Sequence, residues 1–357
     1  MLTLRQFAAK PENVPATTAW YLADLGEARG KQALFTKQSP QRLRVLREHA
    51  LIESAVSSNR IEGVEVDRAR IGTLVFGRPR LRDRNEEEVR GYRNALTLIH
   101  EQGARLSVSE ATVLELHRLA RGETGDAGRY KTVNSDIIER YPDGRERVRF
   151  KTVEAVRVGE TMRELITLWD RCLEERWVHP LIALAAFNLD FLCIHPFRDG
   201  NGRASRLLLL LQCYHLGYDV GRYISLERLI EQNKERYYET LEQSSQRWHE
   251  GRHDPWPYVN YVLFILKTAY REFEERVGQT KSPRGSKTEL IGSAVNALSG
   301  EFTLSDLERA CPGVSRDMVR RVLRDLQKAG KVECLGRGPG AVWRRKGTTL
   351  KRGQKRG

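Results

Sequence analysis

The chain has 357 residues, 40% of them hydrophobic. That is too long for one compact core and too apolar for a disordered chain, so two domains are expected. Its net charge is +14, and residues 281–357 hold most of it, with 18 Lys+Arg against 7 Asp+Glu, or +11. The longest apolar run, Leu207 to Leu211, falls far short of the ~20 residues a membrane span needs. The N-terminus opens without the apolar stretch of a secretory signal. The five cysteines are scattered and form no CxxC pair, which argues against a disulfide framework or zinc site and fits a reducing cytoplasm.

The first 36 residues show little period and read as a lead-in. Ser39-Pro40 reads as an N-cap with proline at the first helical position. Leu43, Leu46, Ala50, Leu51 and Ala55 keep helical spacing to Ile61, and Gly63 is the stop. Two more helices are expected over 86–100 and 109–119. Two β-tolerant runs, 130–139 and 146–151, flank Tyr141-Pro142-Asp143-Gly144 and predict a hairpin. Helices resume over 158–174 and 181–193. A loop from His195 to Gly202 precedes an apolar helix over 203–215, and further helices are expected over 225–231, 234–246 and 257–277. The polar, Pro- and Gly-containing stretch 279–287 reads as a linker. Three short helices (288–298, 305–310 and 315–329) and a strand pair around Gly336 to Gly340 make a second domain over 288–346. A basic tail, 347–357, follows.

The segment His195-Pro196-Phe197-Arg198-Asp199-Gly200-Asn201-Gly202-Arg203-Ala204-Ser205-Arg206 reads as a phosphate site. Its glycines let backbone N–H groups approach a ligand, just before a helix N-terminus that favours anions. Arg203 and Arg206 share one face of the first turn. They oppose the helix dipole there, and two guanidiniums suit a di- or triphosphate. Asp199 is a hard oxygen donor that can hold Mg²⁺. His195 is the one group in the loop that can act as a base near neutral pH.

This run resembles the signature of the Fic family, His-Pro-Phe-x-Asp-Gly-Asn-Gly-Arg-x-x-Arg, at every defined position. His179-Pro180 upstream and Tyr237-Tyr238 downstream agree with it, and the resemblance covers about 40–270, inside a domain placed at 37–278. It implies a mainly α fold with a β-hairpin flap, and transfer of AMP from ATP to a protein hydroxyl. By the resemblance, His195 takes the proton of the attacking Tyr, Ser or Thr. Asp199 holds Mg²⁺ across the α- and β-phosphates. Gly200, Asn201 and Gly202 cradle the phosphates with backbone and amide donors, and Arg203 and Arg206 meet the β- and γ-phosphates. Phe197 anchors the loop in the core, and Asn233, Tyr237 and Tyr238 line the base and sugar.

Ser58-Asn59-Arg60-Ile61-Glu62-Gly63 resembles the family's N-terminal inhibitory motif, Ser/Thr-x-x-x-Glu-Gly/Asn. Ser58 and Glu62 share a helix face, and the resemblance pairs Glu62 with Arg206, leaving ATP in an unproductive pose. The run from Gly128 to Val133 resembles the start of the flap, so Thr132, Val133 and Asn134 are candidate target contacts. Ser135-Asp136 departs from the apolar residue common at that point.

In the C-terminal segment, Val319, Val322, Leu323 and Leu326 form an apolar stripe. Arg316, Arg320, Arg324 and Lys328 form a basic one at strict spacing of four. With the flanking helix and a strand pair carrying Arg337, Arg344 and Arg345, this resembles a winged helix-turn-helix, in which the second helix enters the major groove. Two classes of function remain open. One is a protein adenylyltransferase restrained by Glu62, or a related enzyme that removes AMP. The other is a DNA-binding regulator whose Fic domain senses nucleotide. His195 and Asp199 favour the enzyme. Expected partners are a target protein carrying a hydroxyl side chain, the chain itself by self-modification or as a homodimer, and DNA, with no membrane.

Overall fold

A computed structural model describes residues 2–9, 13–36, 40–77, 80–140, 143–278, 301–311, 314–336 and 341–346, with 288, 291, 292, 294 and 295. The linker at 279–287, the tail at 347–357, Ser39, Pro142 and Arg337 lie outside the described residues. The chain divides into two compact units, Met1–Val277 and Gly278–Gly357.

The larger unit is built around two helices, α8 (Pro180–Ile194) and α9 (Asn201–His215). Nearly every residue of α8 is buried, and so are Leu207 to Leu211 of α9. Such helices are apolar all round and belong at the centre of a core. His179 caps α8, its Nδ1 accepting from the Leu181 N–H at 3.2 Å, with Pro180 in the first turn.

Around this pair lie α3 (Pro40–Ile61), α4 (Ile71–Phe76), α5 (Arg84–Gln102), α6 (Glu110–Arg121) and α7 (Ala155–Glu175). On the C-terminal side follow α10 (Leu226–Gln232), α11 (Lys234–Ser245) and α12 (Trp256–Gly278). Asp83 and Ser109 cap α5 and α6. Helix α6 packs on α5 and α9, and α3 packs on α5 and α10.

The first 36 residues are not structureless, although their periodicity predicts no element. They form α1 (Thr3–Ala9) and α2 (Ala16–Thr36). Helix α2 has little apolar segregation around its circumference, so its pattern gives no signal. Helix α1 is only seven residues long and is held by tertiary contacts. Leu4 and Phe7 enter the core, and the N–H and hydroxyl of Thr3 donate to buried Asp190 of α8 at 2.8 and 2.6 Å.

The hairpin is β1 (Ile137–Arg140) against β2 (Glu146–Phe150), antiparallel, with Ile138 opposite Val148 and a register irregularity beside Ile137. The first strand is shorter than expected. Residues 130–136 precede it and are pinned otherwise: the Lys131 N–H donates to the Pro196 carbonyl at 2.9 Å, and Asn134 Oδ1 accepts from the Ala155 N–H at 2.8 Å.

The smaller unit holds β3 (Glu301–Thr303), α13 (Leu304–Ala310), α14 (Arg316–Lys328), β4 (Val332–Cys334) and β5 (Val342–Arg345). The strands form an antiparallel sheet in the order β3-β5-β4. The short strand β3 carries no alternating pattern long enough to signal it. Thr303 and Asp306 close a capping box at the start of α13. Phe302, Leu307, Cys311, Val319, Val322, Leu323 and Val332 bury a separate core. The five described positions between 288 and 295 are helical.

Candidate active site

The loop between α8 and α9 owes its shape to its own sequence. His195 ends α8 in the left-handed conformation, with φ 52°. Asn201 then folds the chain back on itself. Its Oδ1 accepts from the Phe197 N–H, and its Nδ2 donates to the Phe197 carbonyl, both at 2.8 Å. Phe197 is fully buried and stacks on His117 with ring centroids 3.6 Å apart. His117 Nε2 donates to the Asp199 carbonyl at 2.9 Å while Nδ1 accepts from the Gly128 N–H at 3.0 Å. These two bonds require a neutral ring, and burial holds its pKa down to about 4. Gly200 takes φ 85°, and a Cβ there would press on Arg121 and His117.

Asn201 therefore does not present its amide to a ligand, contrary to the sequence expectation. Its side chain is buried and both amide atoms are spent on Phe197. What the loop offers is backbone at Gly202 and the N-terminus of α9.

His195 is half-buried in the cleft wall. Burial first, and then the charge of Lys131, lower its pKa to about 4, so the ring is neutral at pH 7. Its Nδ1 faces the Leu192 carbonyl at 3.4 Å. With the proton on Nδ1, the lone pair of Nε2 is left to accept one.

Arg203 and Arg206 are both buried and both already paired. Arg203 Nη1 donates to Glu88 Oε2 at 2.8 Å. Glu88 is a buried carboxylate of α5 that also accepts from Arg121 at 2.7 Å and Arg84 at 3.1 Å. Asp199 closes this network, 2.9 Å from Arg121 and 3.6 Å from both Arg203 and Arg84. Neither Glu88 nor Arg121 stands out in the sequence. Glu88 is one of three consecutive glutamates at a helix start, and Arg121 sits at a helix end, where charges of those signs are ordinary.

Arg206 is held by α3. Its Nε donates to Ser58 Oγ and its Nη2 to the Ser58 carbonyl, each at 2.9 Å. Nη2 also donates to Glu62 Oε1 at 2.8 Å. Burial works against the charge on Arg206, and Glu62 together with Tyr237 and Tyr92 more than compensates. Nη1 is buried with no partner among the described residues. Glu62 lies directly over Gly202, where a Cβ would collide with Oε1.

His195, Gly202 and Glu62 face a cleft of about 320 Å³, while Asp199, Arg203 and Arg206 lie outside its lining. Glu62, His195, Gly202, Tyr237 and Tyr238 line one part of it. Ile137, Arg149 and Phe150 of the hairpin, with Leu241 and Glu242 of α11, line another part. Arg149 Nη2 donates to the Tyr238 carbonyl at 2.9 Å and pairs with Glu242 at 3.1 Å, joining hairpin to α11.

Residues 107–213, which contain α8, α9 and the loop between them, match the model of the Fic/DOC family. This stretch is a Fic/DOC family domain. Over 143 residues the chain is 25% identical to the protein adenylyltransferase Fic of Nematostella vectensis, a match spanning 39% of this chain and 29% of that relative. The chain thus spans under a third of the length of that curated relative. A Fic family protein from Desulfovibrio desulfuricans superposes with a TM-score of 0.63 at 24% identity, covering 96% of this chain and 99% of that one. A Fic domain-containing signaling protein from Bacteroides thetaiotaomicron gives 0.58 at 18% identity, covering 72% and 97%. The mainly α fold with its small hairpin is therefore a Fic fold.

The remaining candidates divide. Tyr237 and Tyr238 of α11 line the cleft, their rings T-shaped at 5.2 Å. Asn233 does not line it; its Nδ2 donates back to the Leu229 carbonyl at 2.8 Å. Thr132, Val133 and Asn134 lie outside the cleft lining and before β1, with Val133 74% exposed. In the smaller unit, Arg316, Arg320, Arg324 and Lys328 are all exposed on α14. Arg344 is not an unopposed wing cation, since it pairs with Glu333 at 2.5 Å and Glu301 at 3.8 Å.

Proposed function

We propose that the chain is a protein adenylyltransferase that moves AMP from ATP to a Tyr, Ser or Thr hydroxyl of a target protein, restrained by its own Glu62. The observation that carries the reading is the meeting, in one cleft, of a neutral imidazole at His195, backbone at Gly202 and the Glu62 carboxylate, which pairs with the buried Arg206 behind the cleft wall. The named activity of the Nematostella vectensis relative supports it.

In the proposed reaction the hydroxyl oxygen bonds to the α-phosphorus of ATP. The bond from that phosphorus to the α–β bridging oxygen breaks, and pyrophosphate leaves. The hydroxyl proton passes to Nε2 of His195, a general-base contribution of ~10²–10⁴-fold. Nucleotidyl transfer otherwise needs positioning and charge neutralisation, which the α9 N-terminus, Arg203 and Arg206 supply. Mg²⁺, when bound with ATP, neutralises phosphate charge. Asp199 fits this role as one exposed carboxylate, and it would give up part of its pairing with Arg121. Among the described residues no three His, Cys, Asp or Glu side chains cluster to hold a metal, so phosphate and water would complete the shell.

The test incubates the purified full chain, alone and with a cell lysate, with α-labelled ATP and Mg²⁺, wild type beside Glu62→Gly and Glu62→Gly/His195→Ala. Label bound to protein in the Glu62→Gly sample, and absent once His195 is replaced, is the expected result. No label on the chain or on protein from a lysate in any sample would reject the reading.

A further inference from the structure

We infer that Asp190 is a positioning residue for the cleft: it ties the first helix of the chain to Trp248 and so sets where the hairpin wall stands relative to His195. Only the kinetic consequence rests on the proposed transfer reaction.

Helix α8 carries two polar residues, Asn188 and Asp190, and both are buried. A buried carboxylate is costly unless its oxygens are hydrogen-bonded. Asp190 Oδ1 accepts from the Thr3 N–H and the Trp248 indole N–H, both at 2.8 Å, and from the Thr3 hydroxyl at 2.6 Å. Its Oδ2 accepts from the Leu4 N–H at 3.3 Å. The Thr3 and Leu4 amides belong to the first turn of α1, where no partner exists inside the helix. The Thr3 proton is spent on Asp190, so its oxygen accepts from Nε2 of His253 at 2.8 Å, and His253 Nδ1 accepts from Gln6 Nε2 at 3.0 Å. One carboxylate thus joins α1, α8 and the turn that follows α11.

Trp248 carries the contact to the cleft. It opens a short 3₁₀ turn, Trp248–Glu250, entered through Arg247 in the left-handed conformation with φ 61°. That conformation is uncommon outside glycine and persists only where surrounding contacts hold it. The Trp248 ring meets Phe150 edge-on with centroids 6.3 Å apart. His249 stacks on Phe150 at 5.4 Å, and its Nε2 donates to the Lys151 carbonyl at 2.6 Å. Phe150 lines the cleft, whereas Asp190, Trp248 and His249 do not. A two-stranded hairpin is marginal by itself, so its place is set by what it leans on. Arg149 leans on α11, and Phe150 leans on the Trp248 turn, whose indole is fixed to Asp190. The helix that holds Asp190 is the one that ends at His195, so wall and base share one anchor.

The test follows amide hydrogen exchange of the full chain by mass spectrometry in wild type, Asp190→Asn and Trp248→Phe. Trp248→Phe keeps an aromatic ring against Phe150 and removes the indole N–H, so it serves if Asp190→Asn fails to fold. Exchange in β2 should quicken roughly ten- to a hundredfold in either variant, as expected for the loss of a hydrogen bond to a charged acceptor, with α9 unchanged. In the Glu62→Gly background either change should raise the KM for ATP several-fold with kcat little altered. A merely unfolded fraction would lower kcat and leave KM alone. Wild-type exchange in β2 of Trp248→Phe overturns the inference, since Asp190 then only caps α1. Faster exchange with an unchanged KM overturns it as well. If Glu62→Gly itself shows no transfer, the proposed function falls, and β2 exchange alone decides whether Asp190 sets the hairpin.

Discussion

Glu62 Oε1 stands 2.8 Å from Nη2 of Arg206, and the same carboxylate overhangs Gly202. One acidic side chain thus engages the buried arginine of α9 and covers the loop backbone that α9 follows. A charge-assisted hydrogen bond of this kind is typically worth ~1.5–3 kcal/mol. Removing it with Glu62→Gly is expected to raise AMP transfer roughly ten- to a hundredfold. Initial rates with α-labelled ATP check this.

The end of α3 that carries Glu62 is itself held. Lys234 Nζ, on the helix that also presents Tyr237 and Tyr238, donates to the Ile61 carbonyl at 2.8 Å. Lys234→Met is expected to loosen Glu62 and raise transfer by a few-fold, less than Glu62→Gly does. In the Glu62→Gly background it should add almost nothing, because the two changes then act on one restraint. A full effect in that background would show that Lys234 acts elsewhere.

Glu88 receives hydrogen bonds from Arg121, Arg203 and Arg84, and the first two of these are buried with it. Glu88→Ala would leave the two buried guanidiniums only the more exposed Asp199 and Asp126 as carboxylate partners. Breaking such a pair from one side costs about 3–5 kcal/mol. Urea unfolding should show that loss, with Glu88→Gln intermediate since it keeps acceptor geometry without the charge. Wild-type stability in Glu88→Ala would mean that water replaces the carboxylate.

Four imidazoles, His100, His117, His195 and His253, have pKa values depressed to about 4 by burial. Unfolded histidine titrates near 6.5, so below that pH the unfolded chain binds protons that the folded chain does not. Their contribution is fully present above pH 6.5 and is lost as pH falls toward 4. The melting temperature should be flat from pH 7 to 8 and drop across 6.5 to 4. In the proposed reaction transfer needs His195 neutral, so its rate should show no inflection between pH 5.5 and 7.5. Lys131→Met should move the acid limb upward, since that lysine helps keep the ring uncharged.

Much of the fold is legible from periodicity and capping. The α3 stripe, the Pro180 start of α8 and the leucine run of α9 all announce their elements. The site loop is legible because glycines, a proline and two arginines carry their chemistry in a short span. Sequence fails where tertiary contacts decide. Helix α1 exists because Thr3 reaches Asp190, nearly two hundred residues away. Asn201 reads as a ligand donor, yet the turn consumes its amide. His117 supports the loop from α6, but it lies 82 residues from Asp199 and nothing near it in sequence hints at that contact. Residues 132–134 look β-tolerant, and the bonds of Lys131 and Asn134 to α8's loop and to α7 hold them off the ladder.

The last expectation joins the two ends of the Glu62–Arg206 contact. Arg206 receives Glu62 on Nη2 and Ser58 on Nε and Nη2, while Nη1 has no partner among the described residues and points beside Gly202. If Arg206 is the group that Glu62 withholds from the terminal phosphate, Arg206→Ala lowers transfer whether or not Glu62 is present. Adding Glu62→Gly to Arg206→Ala should then restore little, against a ten- to a hundredfold gain in the wild-type background. The coupling between the two positions should reach ~1–3 kcal/mol. Arg206 is buried, so Arg206→Lys serves as a second background that keeps a charge while losing the fork. Melting temperatures of all variants separate unfolding from loss of function. Equal activation by Glu62→Gly in every background would mean that the proposed restraint works by covering Gly202 rather than by holding Arg206.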